Sequence, residues 1–252
     1  MNTVNSNKIL NYCDNLSKIE IEPFDYYKIL NPYNDEHKEQ VQLITKKFYD
    51  RFYNDNNKRR LILGSNPARR ASAVTGVPFE DAVHLQKETG IFIDDFYVNK
   101  SSSNFLYDVI EQYGGCEKFY NDFYMNFVFP LGIAKVNSKG NLVNCNYYEI
   151  KHYEEKFDKY ILESINEILK FNIDTSVCYC IGSGKNYEYL LKLNRKYNFF
   201  EEIIPLEHPR FIMQYNSKNK DLYLKKYLDA LKKNRKDVIY ARWKNTNSLR
   251  YK

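Results

Sequence analysis

Hydrophobic positions along this chain follow two periods that alternate. Between residues 36 and 53, Val41, Ile44, Phe48 and Phe52 recur at offsets of three, four and four, which places them on one face of a helix. Arg59-Arg60 then leads into Leu61-Ile62-Leu63, an apolar run that stops at Gly64-Ser65-Asn66-Pro67. That is the pattern of a buried strand ending in a tight turn. Before it, residues 5–18 predict a short helix. After it come a helical turn at 81–89, a polar loop at 100–104 that caps a helix at 105–113, and a further helical piece at 117–122. Gly114-Gly115 ends the helix at 105–113.

The second half repeats the alternation. Residues 123–131 are aromatic and β-branched and predict a strand that carries the polar Asn126, which needs a partner if buried. Residues 136–148, with Ser138-Lys139-Gly140-Asn141 inside, read as an irregular insertion or a hairpin. A helix at 149–171 follows, with Phe157, Ile161, Ile165 and Ile168 on one face. A strand at 176–181 ends in Gly182-Ser183-Gly184, a helix covers 186–197, and a strand at 199–206 ends in Glu207-His208-Pro209-Arg210. A helix at 221–233 and a basic tail close the chain.

Strands alternating with helices predict an α/β fold, a three-layer α/β/α sandwich around a central, mostly parallel four-stranded sheet. With no internal repeat or low-complexity linker, one domain over 1–252 with its core at about 36–234 is expected. Parallel strands place Gly-Ser-Asn-Pro, Gly-Ser-Gly and His-Pro-Arg on one side of the sheet, where open α/β sheets bind ligands.

Composition narrows the picture a little. No apolar run approaches the ~20 residues of a membrane span, and the polar N-terminus lacks a signal-peptide core, so a cytoplasmic protein is expected. Five scattered cysteines without a Cys-x-x-Cys pair speak against structural zinc, an iron–sulfur cluster or a disulfide framework. Cys178 and Cys180 alternate within an apolar run, as core residues do. A net charge of +6 with 24 tyrosines and 16 phenylalanines suits nucleic-acid binding, and equally an ordinary protein from an A·T-rich genome.

Gly182-Ser183-Gly184-Lys185 is not a phosphate-binding P-loop. The leading glycine position holds Tyr179, and Asn186 stands where Ser or Thr is required. Asn66 before Pro67 is an amide presented rigidly off a strand end. It can orient a water, or it can serve an Asx-type turn. His208 at another strand end can stabilise developing negative charge as a neutral imidazole, or be a solvated loop histidine. Arg210 suits phosphate contact or a plain surface charge. Ser101, Ser102 and Ser103 suit phosphate contacts at a helix N-terminus or an ordinary cap.

Taken together, Gly64-Ser65-Asn66-Pro67 followed by Thr75-Gly76-Val77-Pro78-Phe79 resembles the first motif of single-strand-selective monofunctional uracil-DNA glycosylases, Gly-Met-Asn-Pro-Gly and then Thr-Gly-Val-Pro-Phe. His208-Pro209 resembles the start of their second motif. Asn126-Phe127-Val128-Phe129-Pro130-Leu131 is similar to their base-reading strand, and residues 177–184 to the strand and glycine turn before the last helix. The run from His208-Pro209-Arg210 through Met213-Gln214-Tyr215 is similar to the bacterial branch of that family.

The resemblance implies a monofunctional glycosylase of base excision repair that takes uracil, or another deaminated or modified base, flipped from DNA. It further implies a monomer without metal or cofactor. By that resemblance Asn66 positions water and His208 donates to O2 of the leaving base. Phe79 stacks on the base, Asn126 reads its edge, and Gly64 and Ser65 line its pocket. Ala68-Arg69-Arg70 departs from the pattern, and Ala68 in place of glycine narrows the space near position 5 of the base. The competing expectation is a DNA- or nucleotide-binding protein that keeps the fold without the chemistry.

Overall fold

The computed structural model of the chain describes residues 3–22, 24–91 and 100–232, and at 100–103 the backbone only. Helix α1 (Asn5–Ser17) is followed by the short strand β1 (Tyr27–Leu30), helix α2 (Lys38–Tyr53) and strand β2 (Arg59–Gly64). In β2 every residue except Arg60 is buried, as expected for a strand covered on both faces. Three helices, α3 (Ser72–Thr75), α4 (Ala82–Thr89) and α5 (Lys100–Tyr113), lead to α6 (Cys116–Asp122) and β3 (Phe123–Phe127). The hairpin β4 (Gly132–Val136) and β5 (Leu142–Asn144) precedes α7 (Tyr153–Leu169) and β6 (Ile173–Ile181). Helix α8 (Lys185–Tyr197), strand β7 (Ile203–Leu206), α9 (Pro209–Tyr215) and α10 (Lys220–Lys232) complete the order.

The main sheet is four-stranded and entirely parallel, in the order β3-β2-β6-β7. Alternate side chains of β3 serve its two faces. Tyr124 packs edge-on against Phe171 and Tyr53, and Tyr12 of α1 meets both Phe171 and Ser164 of α7. On the other face Phe123 packs against Tyr113 of α5 and Tyr179 of β6, whose hydroxyl donates to the Ala230 carbonyl of α10. The α7 face residues Phe157, Ile161, Ile165 and Ile168 are all fully buried. Burial of four large apolar side chains contributes on the order of 1.5–3 kcal/mol each. The α/β/α layering read from the sequence is therefore present.

Several boundaries differ from the sequence expectation. Lys100, Ser101, Ser102 and Ser103 form the first turn of α5 and not a loop before it. The strand at 123–131 stops at Phe127, and Val128 and Phe129 then donate their amides to the Gly64 and Ser65 carbonyls. Residues 136–148 are the hairpin alternative, but with an unforeseen partner: β1, β4 and β5 form a second, antiparallel sheet. Helix α7 begins four residues later than expected because Tyr147–Glu149 forms a 3-10 turn. Residue 233 of the last expected helix and the basic tail lie outside the described residues.

The amino edge of the sheet is pinned by Arg59, which is 1 % exposed. Its guanidinium makes two short bonds to Asp55 (2.7 and 2.8 Å) and donates to the Tyr120 and Phe52 carbonyls. Those bonds hold the Asp55 carboxyl below the usual carboxylate range. The carboxyl edge is thus built on a fixed base.

Candidate active site

Register alone brings the expected site residues to one edge. Gly64 pairs with Phe127 and Leu63 with Asn126, while Ile181 pairs with Leu206, so the turns after β2, β3 and β7 share the carboxyl side. Two strand spacings separate β2 from β7, roughly 10 Å. Asn66 and His208 thus stand on the same edge, two strands apart.

Asn66 is 9 % exposed, and its amide is held by a segment far away in sequence. Its Nδ2 donates to the Cys145 carbonyl (3.1 Å) and its Oδ1 accepts from the Tyr147 amide (3.1 Å). Oδ1 serves the distant Tyr147 amide and no amide of its own turn, so an Asx-type turn is not what satisfies this side chain, and the Pro67 carbonyl lies only at the far limit of a bond from Nδ2 (3.5 Å). Next to it, the Ser65 hydroxyl donates to Asn146 Oδ1 (3.0 Å) and the Arg69 amide to Asn144 Oδ1 (2.8 Å). Four consecutive residues, from Asn144 at the end of β5 to Tyr147, thus each bond to the turn after β2. Tyr147 in turn donates its hydroxyl to Asn186 Oδ1 (2.9 Å), and Asn186 Nδ2 donates to the Ile181 carbonyl (3.0 Å) at the end of β6. Asn186 is 1 % exposed.

The two partners fix which way the Asn66 amide faces. They also leave it one N–H and one oxygen lone pair.

Phe79 sits in a left-handed backbone conformation (φ 63°), which a non-glycine residue adopts at a cost. Its amide is held by the Ser72 hydroxyl (2.8 Å), and its ring stacks on Phe127 with centroids 4.8 Å apart. Both rings lie directly over Gly64. A Cβ at that position would stand 2.6 Å from Phe79 Cζ and 2.9 Å from Phe127 Cδ1, so only glycine permits the approach. Gly64 and Phe79 are therefore one feature, a strand end flattened to carry an aromatic floor.

Asn126 is 5 % exposed and borders a small recess with Pro67, Ser72, Pro78 and Phe127, on the side of the Asn66–Phe79 loop. Its Oδ1 accepts from the Phe127 amide (2.8 Å) and its Nδ2 donates to Tyr124 Oη (2.9 Å). Tyr12 is a further partner of the same amide, so a lone pair on Oδ1 is what remains.

His208 caps α9, its Nδ1 accepting from the Arg210 amide (3.0 Å). A ring whose Nδ1 accepts is neutral and carries its proton on Nε2, where it is a donor. Desolvation by the surrounding protein, and then the Arg210 charge, lower the His208 pKa. The ring also keeps an exposed edge, which argues for a smaller drop than full enclosure would give. Both views agree on a neutral ring. Arg210 itself is exposed, with Nε on Gln214 Oε1 (3.1 Å). The side chains of Ser101, Ser102 and Ser103 lie outside the described residues.

The structure brings Gly64, Ser65, Asn66 and Phe79 together at the turn after β2, sets Asn126 beside that loop on the Tyr124 face of β3, and puts His208 on the same sheet edge two strands away. Sequence reasoning missed Asn144, Cys145, Asn146, Tyr147 and Asn186. Asn186 had one visible signal, a polar residue entering the first turn of a helix after a glycine turn. Among the described residues no group of histidine, cysteine or acidic side chains could hold a metal ion. All five cysteines are free, and burial pushes the Cys180 thiol up to about 12. No described helix is long and apolar enough to cross a membrane.

Comparison with known proteins places this geometry. Residues 51–232 match the family model of the uracil DNA glycosylase superfamily. The crystal structure of wild-type SMUG2 from Pedobacter heparinus superposes with a TM-score of 0.85 at 38% identity, over 92% of this chain and 98% of that one. No curated protein sequence matches the chain.

Proposed function

This chain belongs to the uracil DNA glycosylase superfamily, in its SMUG-like bacterial branch, and on that premise we propose that it is a monofunctional glycosylase that hydrolyses the N-glycosidic bond of uracil flipped out of DNA. Under this reading Phe79 stacks on the base and Asn126, exchanging its Tyr12 contact for the ligand, turns its amide to the O4 and N3–H edge. Cytosine, with donor and acceptor exchanged, leaves both buried groups unpaired, which is how such a site discriminates. The C1′–N1 bond breaks with its electron pair leaving on the base, and water adds to C1′. The products are an abasic site and free uracil.

The hard part is departure of the base as an anion. His208, neutral with its proton on Nε2, is a donor that needs no prior protonation. A fixed donor at a developing anion is worth about 3–4 kcal/mol. The observation that carries the reading is the Arg210 amide on His208 Nδ1, which fixes that tautomer. Asn66 has a spare lone pair for a water. No lysine stands in either motif as an amine nucleophile, which favours hydrolysis without strand cleavage. One domain acting as a monomer suffices for a single flipped base.

A second reading has its own support. Both amide atoms of Asn66 already serve the backbone at Cys145 and Tyr147, as a purely structural asparagine would. The chain would then bind DNA without excising a base. Labelled oligonucleotides carrying uracil, hypoxanthine, xanthine or 5-hydroxymethyluracil, single- and double-stranded and treated with alkali, separate the two. Cleavage at uracil that drops at least a hundredfold in His208→Ala and in Asn66→Ala is expected. Binding with every base left in place selects the second reading.

A further inference from the structure

Arg69 is a cation beside the Asn66 turn that the proposed reaction does not use. It stands three residues after Asn66, in the stretch where this sequence departs from the motif it resembles. Its backbone is anchored, since the Arg69 amide donates to Asn144 Oδ1 (2.8 Å) and the flanking turn closes through the Ala71 and Ala73 amides on the Ala68 carbonyl. Its guanidinium is not. Nε is shielded from solvent without a hydrogen-bond partner among the described residues. A shielded, unpaired guanidinium N–H is costly, and a native structure that retains one calls for an explanation. Burial and the adjacent Arg70 charge both disfavour the charged form, lowering the Arg69 pKa, and an anion beside it would favour the charged form and offset them.

We propose that Arg69 is the ligand of a DNA backbone phosphate beside the flipped nucleotide, held ready by its unsatisfied guanidinium on the rim of the site. The inference rests on the proposed reading of the chain as a protein that acts on a flipped base. The rim position favours phosphate over the base. The recess at Asn126 is walled by Pro67 and Ser72, which bracket the Ala68 to Ala71 stretch, and Arg69 is not among its lining residues. Guanidinium geometry suits phosphate, offering parallel N–H donors to two oxygens.

The test is the salt dependence of binding, measured by fluorescence anisotropy on the full chain with duplex DNA carrying a tetrahydrofuran abasic-site analogue, which cannot be excised. Each phosphate neutralised contributes about 0.9 to the slope of log affinity against log salt. Arg69→Ala is expected to weaken binding roughly tenfold and to lower the slope by about one contact. Arg69→Lys keeps the slope, with weaker binding from loss of the second donor. Lys170→Ala, at the opposite edge of the sheet, changes neither. An unchanged slope in Arg69→Ala overturns the proposal. So does an unchanged slope with a lost excision rate, which would put Arg69 on the base instead. If wild-type protein leaves uracil in place while the slope still drops in Arg69→Ala, the glycosylase reading falls and the phosphate contact stands.

Discussion

Substituting Gly64 by alanine tests the aromatic floor directly. The added Cβ would stand 2.6 Å from Phe79 Cζ and 2.9 Å from Phe127 Cδ1. Carbon atoms in contact prefer about 3.5–4.0 Å, so a ring must retreat by roughly 1 Å. Phe127 has little room, because its backbone is paired to Gly64 itself in the parallel register. Phe79 is the one that yields: its Cζ is the far end of the side chain, and it is only partly buried. Overpacking of this kind costs about 1–3 kcal/mol of stability. A displacement of that size in a group that positions the base lowers excision by up to ~100-fold. Urea unfolding and single-turnover excision of uracil measure the two effects, while affinity for abasic-analogue DNA should change little. The decisive arm is Phe79→Ala in both backgrounds. Without the Phe79 ring, Gly64→Ala should cost less by at least ~0.5 kcal/mol, the remainder coming from Phe127. An equal cost with and without the ring would refute the argument that Phe79 is why glycine stands there.

Two further expectations concern pH. Burial raises the Glu80 carboxyl from the ordinary 4.5 to about 7, against the opposing donors Tyr107 and Tyr120. Because the folded state holds this proton more tightly than the unfolded chain, stability is greatest below the unfolded pKa and declines as pH rises through about 7; Glu80→Gln should flatten that decline in urea titrations, and an identical pH profile would count against it. His208 has its pKa lowered, so the ring remains neutral where an ordinary histidine is charged, and the acid limb of kcat/KM for uracil excision should fall below the ordinary histidine pKa of ~6.5. An alkaline limb lost in His208→Ala, with activity falling as the ring deprotonates, would place His208 as a charged donor instead.

What the sequence revealed was the ends of strands. Leu61-Ile62-Leu63 before Gly-Ser-Asn-Pro, and 199–206 before Glu-His-Pro-Arg, are local patterns whose meaning survives any tertiary context. Gly64, Asn66, Asn126 and His208 could be found from them and from a resemblance spanning both motifs. Helix α7 was legible for the same reason, since its apolar stripe needs only the helical period. Strand β1 was not, because four residues with one face half-covered carry too little alternation, and their pairing with β4 is a long-range event. The start of α5 was misplaced because three serines favour caps and turns by propensity, and helix packing overrides so weak a preference. Asn186 was noticed only as a mismatch to a P-loop, though the mismatch is what lets it reach Tyr147 and β6.

The least legible part, residues 144–147, is also the part that gives Asn66 its meaning. An asparagine amide on its own faces either way, and its oxygen and nitrogen exchange places at little cost. Here Tyr147 offers a donor and Cys145 an acceptor, so only one orientation satisfies both. The same device recurs at Asn126, where the Phe127 amide and Tyr124 Oη fix the flip. At Asn66 the protein takes one donor and one acceptor and leaves one of each. Under the proposed function an amide oriented in this way presents its groups in a defined order, and a ligand with the reverse order leaves buried groups unpaired at about 1–3 kcal/mol apiece. The backbone bonds that make Asn66 resemble a structural residue are thus compatible with a functional one, since without them its orientation would have to be selected anew by each ligand.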